Sequence, residues 1–239
     1  VIRQGRRRLE PQRQGSIVVR PPVTRGPKQL VDERALEFAQ SNAHQFAQER
    51  ASQRFPVVPT SVDGTASKEL ANMLSLKRPP SRIECYDISH TQDKNPVGSR
   101  VVFIDGKPVP KLYRRFNIRT VDGIDDYASL TEVLERRFQR ADSGDADWSV
   151  PDLVVIDGGK GQLSAAMEGI ANAHHDLDEI PICALAKREE QVFVPHSHEP
   201  VNESPDSPAL LLLRHLRDES HRYALRTHRG QRSARRSLT

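Results

Sequence analysis

Three side chains far apart in the chain have the types that cation-assisted hydrolysis needs: Asp87, Asp157 and His221. Asp87 lies in Glu84-Cys85-Tyr86-Asp87-Ile88-Ser89, where strand alternation puts it on one face with Ile83 and Cys85. A carboxylate on the inner face of a central strand is costly unless it is paired or holds a metal. Asp157 follows Leu153–Ile156, a continuous apolar run that reads as a buried strand. Ligands of open α/β sheets bind beyond the carboxyl ends of such strands, and Gly158 and Gly159 let a substrate approach the backbone closely. The competing role for Asp157 is a cap on the helix that follows. His221 shares a polar helix face with Arg214, Arg217 and Asp218. A histidine on such a face is ordinarily solvated; the Arg and Asp beside it, on a helix that must dock on the sheet, single this one out. Two carboxylates from separate strands and an imidazole from a helix make a site for Mg2+ or Mn2+. Mg2+ prefers oxygen ligands and keeps several waters, while Mn2+ accepts imidazole more readily. Such a site polarises a phosphodiester oxygen and activates a water.

Weaker signals surround these three. Gly158-Gly159-Lys160-Gly161-Gln162 suggests a phosphate loop, yet Val154 stands where a P-loop has its first glycine, and no Ser or Thr follows the lysine. Lys160 keeps a phosphate-contacting role at a helix N-terminus. Tyr113-Arg114-Arg115-Phe116, Lys187-Arg188 and Arg217 are candidates for contacts to a DNA backbone, with solvated surface as the default. His174-His175 and His196-Ser197-His198 lack cysteine partners at zinc spacing and read as surface.

The elements that must position these residues begin after Pro79-Pro80. Upstream, residues 1–29 read as a basic, extended or disordered arm, and 30–80 as a helical segment with helices over 30–53 and 68–76. From Arg82 the pattern turns to strands: 82–89, then 100–104 and 109–118 around Asp105-Gly106, a hairpin signal. An amphipathic helix over 126–139 and a polar loop over 141–149 come next. They are followed by the 153–156 strand, a helix over 163–173, and strands over 180–186 and 191–194. Ser207-Pro208 opens a final helix to about residue 228, with Leu212, Leu213, Leu216 and Tyr223 on its packing side. This order predicts an α/β fold with a mixed sheet flanked by helices over 81–230, followed by a basic tail over 231–239.

Charge is distributed unevenly. Residues 1–28 hold eight Lys/Arg against Glu10, and residues 214–239 hold eight Arg against Asp218 and Glu219. The two ends thus carry a surplus of 13 positive charges, which leaves the middle at net −9 within the overall +4. Basic ends suit a polyanion such as nucleic acid, or are solvated tails. An acidic middle repels phosphates unless some carboxylates hold cations. No apolar run reaches the roughly 18 residues a membrane span needs, and no secretory signal is present. Two cysteines make no disulfide framework and suit a reduced, cytoplasmic compartment.

Six motifs then occur in a set order: RIECYDISHTQ (Arg82–Gln92), YRRFNI (Tyr113–Ile118), DDY (Asp125–Tyr127), PDLVVIDGGKGQL (Pro151–Leu163), ALAKREE (Ala184–Glu190) and RDESHRYA (Arg217–Ala224). Together they resemble the RNase H-like endonuclease domain of the UvrC family of nucleotide-excision-repair proteins. Residues 16–80 resemble the segment before that domain less distinctively, and Tyr86 stands where family members more often have Phe. The resemblance implies an RNase H-like fold and an endonuclease that cuts on the 5′ side of a DNA lesion. It also implies a divalent metal, Mg2+ or Mn2+, and an Asp-Asp-His site that falls on Asp87, Asp157 and His221. Asp126 of the DDY motif joins as a further incision residue. The implied partners are damaged double-stranded DNA and UvrB, with UvrA loading the damage complex. The family's GIY-YIG nuclease, UvrB-binding hairpin and helix-hairpin-helix domain have no counterpart motif in these residues. A non-catalytic docking module on the same fold is the alternative, and a nucleotide-binding domain using the GGKG loop is a third reading.

Overall fold

The computed structural model describes residues 64–90, 96–121, 123–187 and 190–236, with the side chains of the last helix described through residue 226. The expected arm and the helix over 30–53 lie outside these residues, as does Arg188. Helix α1 (Thr65–Met73) precedes strands β1 (Arg82–His90) and β2 (Pro96–Ile104). Strands β3 (Lys107–Pro108) and β4 (Arg114–Asn117), helix α2 (Asp126–Gln139), strand β5 (Leu153–Asp157) and helix α3 (Lys160–Asn172) follow. Strands β6 (Ile182–Leu185) and β7 (Val192–Phe193) and helix α4 (Pro208–Arg236) complete the order.

One seven-stranded sheet runs β3-β2-β1-β5-β6-β7, with β4 also paired to β2. The centre is parallel, β1 with β5 and β5 with β6, and the flanks are antiparallel. That is the mixed α/β architecture the element order predicts. Alternation in the central strands sorts the core into two layers. Ile83, Cys85, Leu153 and Val155 face α1 and α4, where Leu70, Leu213 and Leu216 are fully buried. Each such leucine contributes about 1.5–3 kcal/mol by leaving water. Tyr86, Val154 and Ile156 face α2 and α3 on the other side, against Leu130, Leu134, Ala166 and Ile170.

Local chemistry sets the element ends. Asp105 and Gly106 both have left-handed backbone (φ 49° and 73°), the two-residue turn that matches strand twist. The Asp125 carboxylate accepts from Ala128 N–H at 3.0 Å to start α2, and the Ser207 hydroxyl accepts from Leu210 N–H at 3.2 Å to start α4. The strand expected over 109–118 is instead broken. Pro108 and Pro110 offer no N–H to a ladder, so the chain makes a tight turn over Pro110–Leu112 before β4 begins. The loop expected over 141–149 folds into two short 3-10 turns, Ala141–Ser143 and Ala146–Trp148. Helix α1 packs on α4 with Leu70 in the common core, so the composition change at Pro79-Pro80 marks a turn within the packed unit. Helix α4 continues to Arg236, eight residues past the expected end at residue 228. No helix among the described residues is long and apolar enough to cross a membrane.

Candidate active site

The site forms where the parallel strands end. Strands β1 and β5 pair as Cys85↔Val155 and Tyr86↔Ile156. One step further along, Asp87 and Asp157 stand at neighbouring positions on strands spaced about 4.8 Å apart. Both continue the rows that face α4, and both are buried, at 4% and 8% exposure. Their carboxylates repel each other: burial first, then the charge of Asp87, pushes Asp157 from an ordinary 3.8 up to about 7. Lys187 and Arg217 oppose that rise, with Lys187 Nζ 3.5 Å from Asp157 Oδ2. Beyond that long Lys187 contact, neither oxygen of Asp157 accepts a hydrogen bond from the described residues. Asp87 is better held, since the Ser89 hydroxyl donates to its Oδ2 at 2.7 Å.

The expected capping role of Asp157 is not what the fold uses. Gly159 occupies the cap position of α3, and the Gln162 side chain closes back to accept from Gly159 N–H at 3.0 Å. Asp157 is thereby left to face a cleft of about 240 Å³, lined by Asp87, Asp126, Asp157, Gln162 and Lys187 among others. The fold thus gathers three of the four sequence-selected acid and imidazole groups. Asp126 arrives from the first turn of α2, on the opposite side of the sheet from α4.

His221 is not among the cleft-lining residues. Its helix docks on the correct face. Ser220, one residue before it, lies 3.4 Å from the Ser99 hydroxyl, and Ser99 pairs with Asp87 across β1 and β2. Among the described residues no group of three His, Cys, Asp or Glu is arranged to hold a metal. The protein itself therefore presents two adjacent carboxylates, one with both oxygens unsatisfied. That hard-oxygen donor pair fits a divalent cation whose other positions belong to water or substrate.

The basic candidates separate by position. Lys187 is in the cleft. Arg217 bonds Asp218 at 3.2 Å and reaches Glu190 at 3.5 Å, within electrostatic range of Asp157. Arg114 pairs with Asp147 at 2.9 Å and donates to the carbonyls of Lys111 and Tyr113, so it serves the fold. Arg115 follows it on β4, near Tyr223. Lys160 turns away from the cleft toward the His198 carbonyl, its Nζ 5.1 Å from the Phe193 ring centre. The GGKG segment therefore presents no lysine to a phosphate in the cleft. The Cys85 thiol, beneath the two aspartates, is pushed well above its ordinary range by burial and then by their charge. It stays protonated and takes no nucleophilic role.

Two supports escaped the sequence reading. Glu84 is fully buried and accepts from Arg137 Nε at 2.8 Å and Nη2 at 3.0 Å, Arg82 Nη2 at 2.7 Å and Tyr86 Oη at 2.6 Å. Burial alone raises its pKa, but the charges of Arg137 and Arg100 outweigh that and hold it at about 2. This cluster ties β1 to α2, on the face away from Asp87. Its signal in the sequence was Arg82, two residues before a glutamate inside an apolar strand. The second support is Glu190, which pairs with both Arg214 and Arg217 and fixes the end of the β6–β7 connection to α4.

The protein is a mixed α/β domain with an acidic cleft at the carboxyl ends of its central parallel strands. The family model described as "UvrC RNAse H endonuclease domain" matches residues 71–225, and the chain belongs to that family. It is 50% identical over 177 residues to UvrABC system protein C of Synechococcus sp. (strain JA-3-3Ab), covering 72% of this chain and 28% of that protein. It is 47% identical over 184 residues to UvrABC system protein C of Desulforudis audaxviator, covering 71% and 30%. The chain spans about a third of the length of the curated relatives it matches. Among solved structures, Ciona intestinalis Endonuclease V in complex with a 24mer DNA is similar with a TM-score of 0.35 and 13% identity, covering 50% of this chain and 55% of that one.

Proposed function

We infer that the chain is the metal-dependent nuclease unit of a nucleotide-excision-repair protein. It hydrolyses a phosphodiester on the 5′ side of a lesion, on damaged double-stranded DNA held by UvrB after loading by UvrA, in the cytoplasm. The observation that carries this reading is Asp157: a buried carboxylate at a strand end, beside a second one, whose oxygens meet no hydrogen-bond donor beyond the long 3.5 Å contact with Lys187. A fold tolerates such a group when a cation completes it.

A Mg2+ or Mn2+ in the cleft would supply Lewis acidity toward the phosphoryl group and would acidify a water. Asp87 and Asp157 would hold that cation. Ser89 fixes one oxygen of Asp87 and so orients the carboxylate. Lys187 balances the charge of Asp157 in the cleft and meets the phosphate there. Asp126, at the cleft wall, orients the attacking water. His221 acts from α4, as a ligand or as a proton-transfer partner to the water or leaving oxygen. Arg115 and Arg188 extend the phosphate contacts, while Arg114, Lys160 and Arg217 act through the contacts they make within the fold.

The test is Mg2+- or Mn2+-dependent nicking of lesion-containing duplex with UvrA and UvrB present. Asp87→Ala is expected to abolish nicking while retaining the thermal unfolding transition. Nicking at the parent rate by Asp87→Ala ends the assignment. Retained UvrB–DNA binding with no nicking by the unaltered chain supports a docking module instead.

A further inference from the structure

We propose that Tyr127 is a platform on which one unstacked nucleobase rests while its phosphate lies in the carboxylate cleft. This rests on the nuclease reading of that cleft and adds the local form of the substrate: a nucleotide next to the cut whose base has left the helical stack.

Ile124 and Tyr127 are 80% and 53% exposed, large apolar side chains left in water within one four-residue stretch. Asp126, between them, lines the cleft. Tyr127 itself lines a second groove, next to the cleft-lining Asp126 in sequence. The tyrosine is nonetheless held in place. The end of its ring rests on Gly161 in the first turn of α3, where a Cβ would come within 2.7–2.8 Å of Oη, Cε1 and Cζ. A side chain at 161 would push the end of that ring aside, so the bare glycine backbone is what lets the ring sit there.

Charge argues for a base as the occupant. The groove that Tyr127 lines, between α2 and α3, carries Glu135, Glu168 and the ion pair of Glu132 with Arg136. The unpaired surplus of negative charge there disfavours a phosphate backbone in the groove, whereas a neutral base with a π-face is accepted. Base–aromatic stacking needs no particular sequence, which suits an enzyme acting wherever damage lies. Asp126 and Gln162 line the cleft and are the chain neighbours of Tyr127 and of the Gly161 on which it rests, so the ring stands beside the cleft, within reach of a base adjoining a phosphate there.

The test uses the full 239-residue chain with Ca2+ replacing Mg2+. The probes are two duplexes, one with a single unpaired 2-aminopurine and one fully paired. Fluorescence quenching of the unpaired 2-aminopurine is expected for the unaltered chain and for Tyr127→Phe. Tyr127→Leu keeps an apolar contact on Gly161 but has no π-face. It is expected to lose the quenching and to weaken binding of the unpaired duplex by about 10-fold, with less than about a two-fold change for the paired one. No quenching by the unaltered chain, or an equal loss on both duplexes for Tyr127→Leu, overturns the proposal. Quenching reads the platform and Mg2+-dependent cleavage reads the cleft, so the failure of one is told from the failure of the other.

Discussion

Asp157→Asn is expected to make the metal-free protein more stable while removing its response to divalent cations. The folded-state pKa of Asp157 is raised from 3.8 to about 7. A raised acid favours the folded state fully below the unfolded value, and that stability is lost as pH rises through the folded value. The difference of about 3 units corresponds to roughly 4 kcal/mol at pH 8, as an upper bound. Asparagine has the same shape and no charge. It forfeits the contact with Lys187 and leaves its own amide poorly paired, at a cost of about 1–3 kcal/mol. The net gain is therefore about 1–3 kcal/mol at pH 8, or roughly 2–10 °C in Tm for a domain of this size. At pH 5 most of the penalty on the wild type is gone, and the advantage should shrink by about 2–3 kcal/mol. Thermal melts in EDTA at pH 5 and pH 8, repeated with Mn2+, provide the assay. Mn2+ should raise the Tm of the wild type and leave Asp157→Asn unmoved. An Asn variant no more stable at pH 8, with a difference flat in pH, would mean that Asp157 is already neutralised within the fold. The cleft would then have no charge on Asp157 for a cation to complete.

Other predictions concern the supports of the site. Glu84→Gln should destabilise the domain by about 3–5 kcal/mol, because Arg137 and Arg100 lose their buried counter-charge; urea denaturation measures it. Because Glu84 is held at about 2 against an ordinary 4.5, its contribution of about 3 kcal/mol is present above pH 4.5 and lost as pH falls toward 2. Acid unfolding monitored by circular dichroism should show that loss in the wild type and not in Glu84→Gln. Gly169→Ala would bring a Cβ to 2.4 Å from the Thr131 carbonyl oxygen. Forcing α2 and α3 apart should cost about 1–3 kcal/mol, read as a lower denaturation midpoint. Glu132→Ala should release the Arg119 and Thr120 backbone amides and the Thr120 hydroxyl that its carboxylate accepts from. Faster amide hydrogen exchange at those two residues, with the α2 core still protected, is the expected signature.

Several features are legible in the amino-acid sequence alone. The order of strands and helices follows from local pattern. Continuous apolar runs gave β5 and β6, the spacing of Leu130, Val133, Leu134 and Phe138 gave α2 to the residue, and Asp105-Gly106 gave the hairpin. Asp87 and Asp157 stood out because a carboxylate in or after such a strand violates the strand's own composition. Where backbone hydrogen bonding intervened, local pattern failed. The apolar content of 109–118 reads as strand, but Pro108 and Pro110 deny the ladder its donors.

Tertiary structure decided the rest, because it depends on which distant segments become neighbours. The parallel register of β1 and β5 sets Asp87 beside Asp157, and their mutual repulsion in a buried cleft raises the pKa of Asp157. No single-strand pattern contains that. The pairing of Glu84 with Arg137, 53 residues away, and the seating of Tyr127 on Gly161 arise the same way. His221 shows the limit from the other side: helical periodicity gives its polar face, while the packing of α4 alone determines how near that face comes to the carboxylates. Side-chain type is a property of the chain; electrostatic environment is a property of the neighbours that folding supplies.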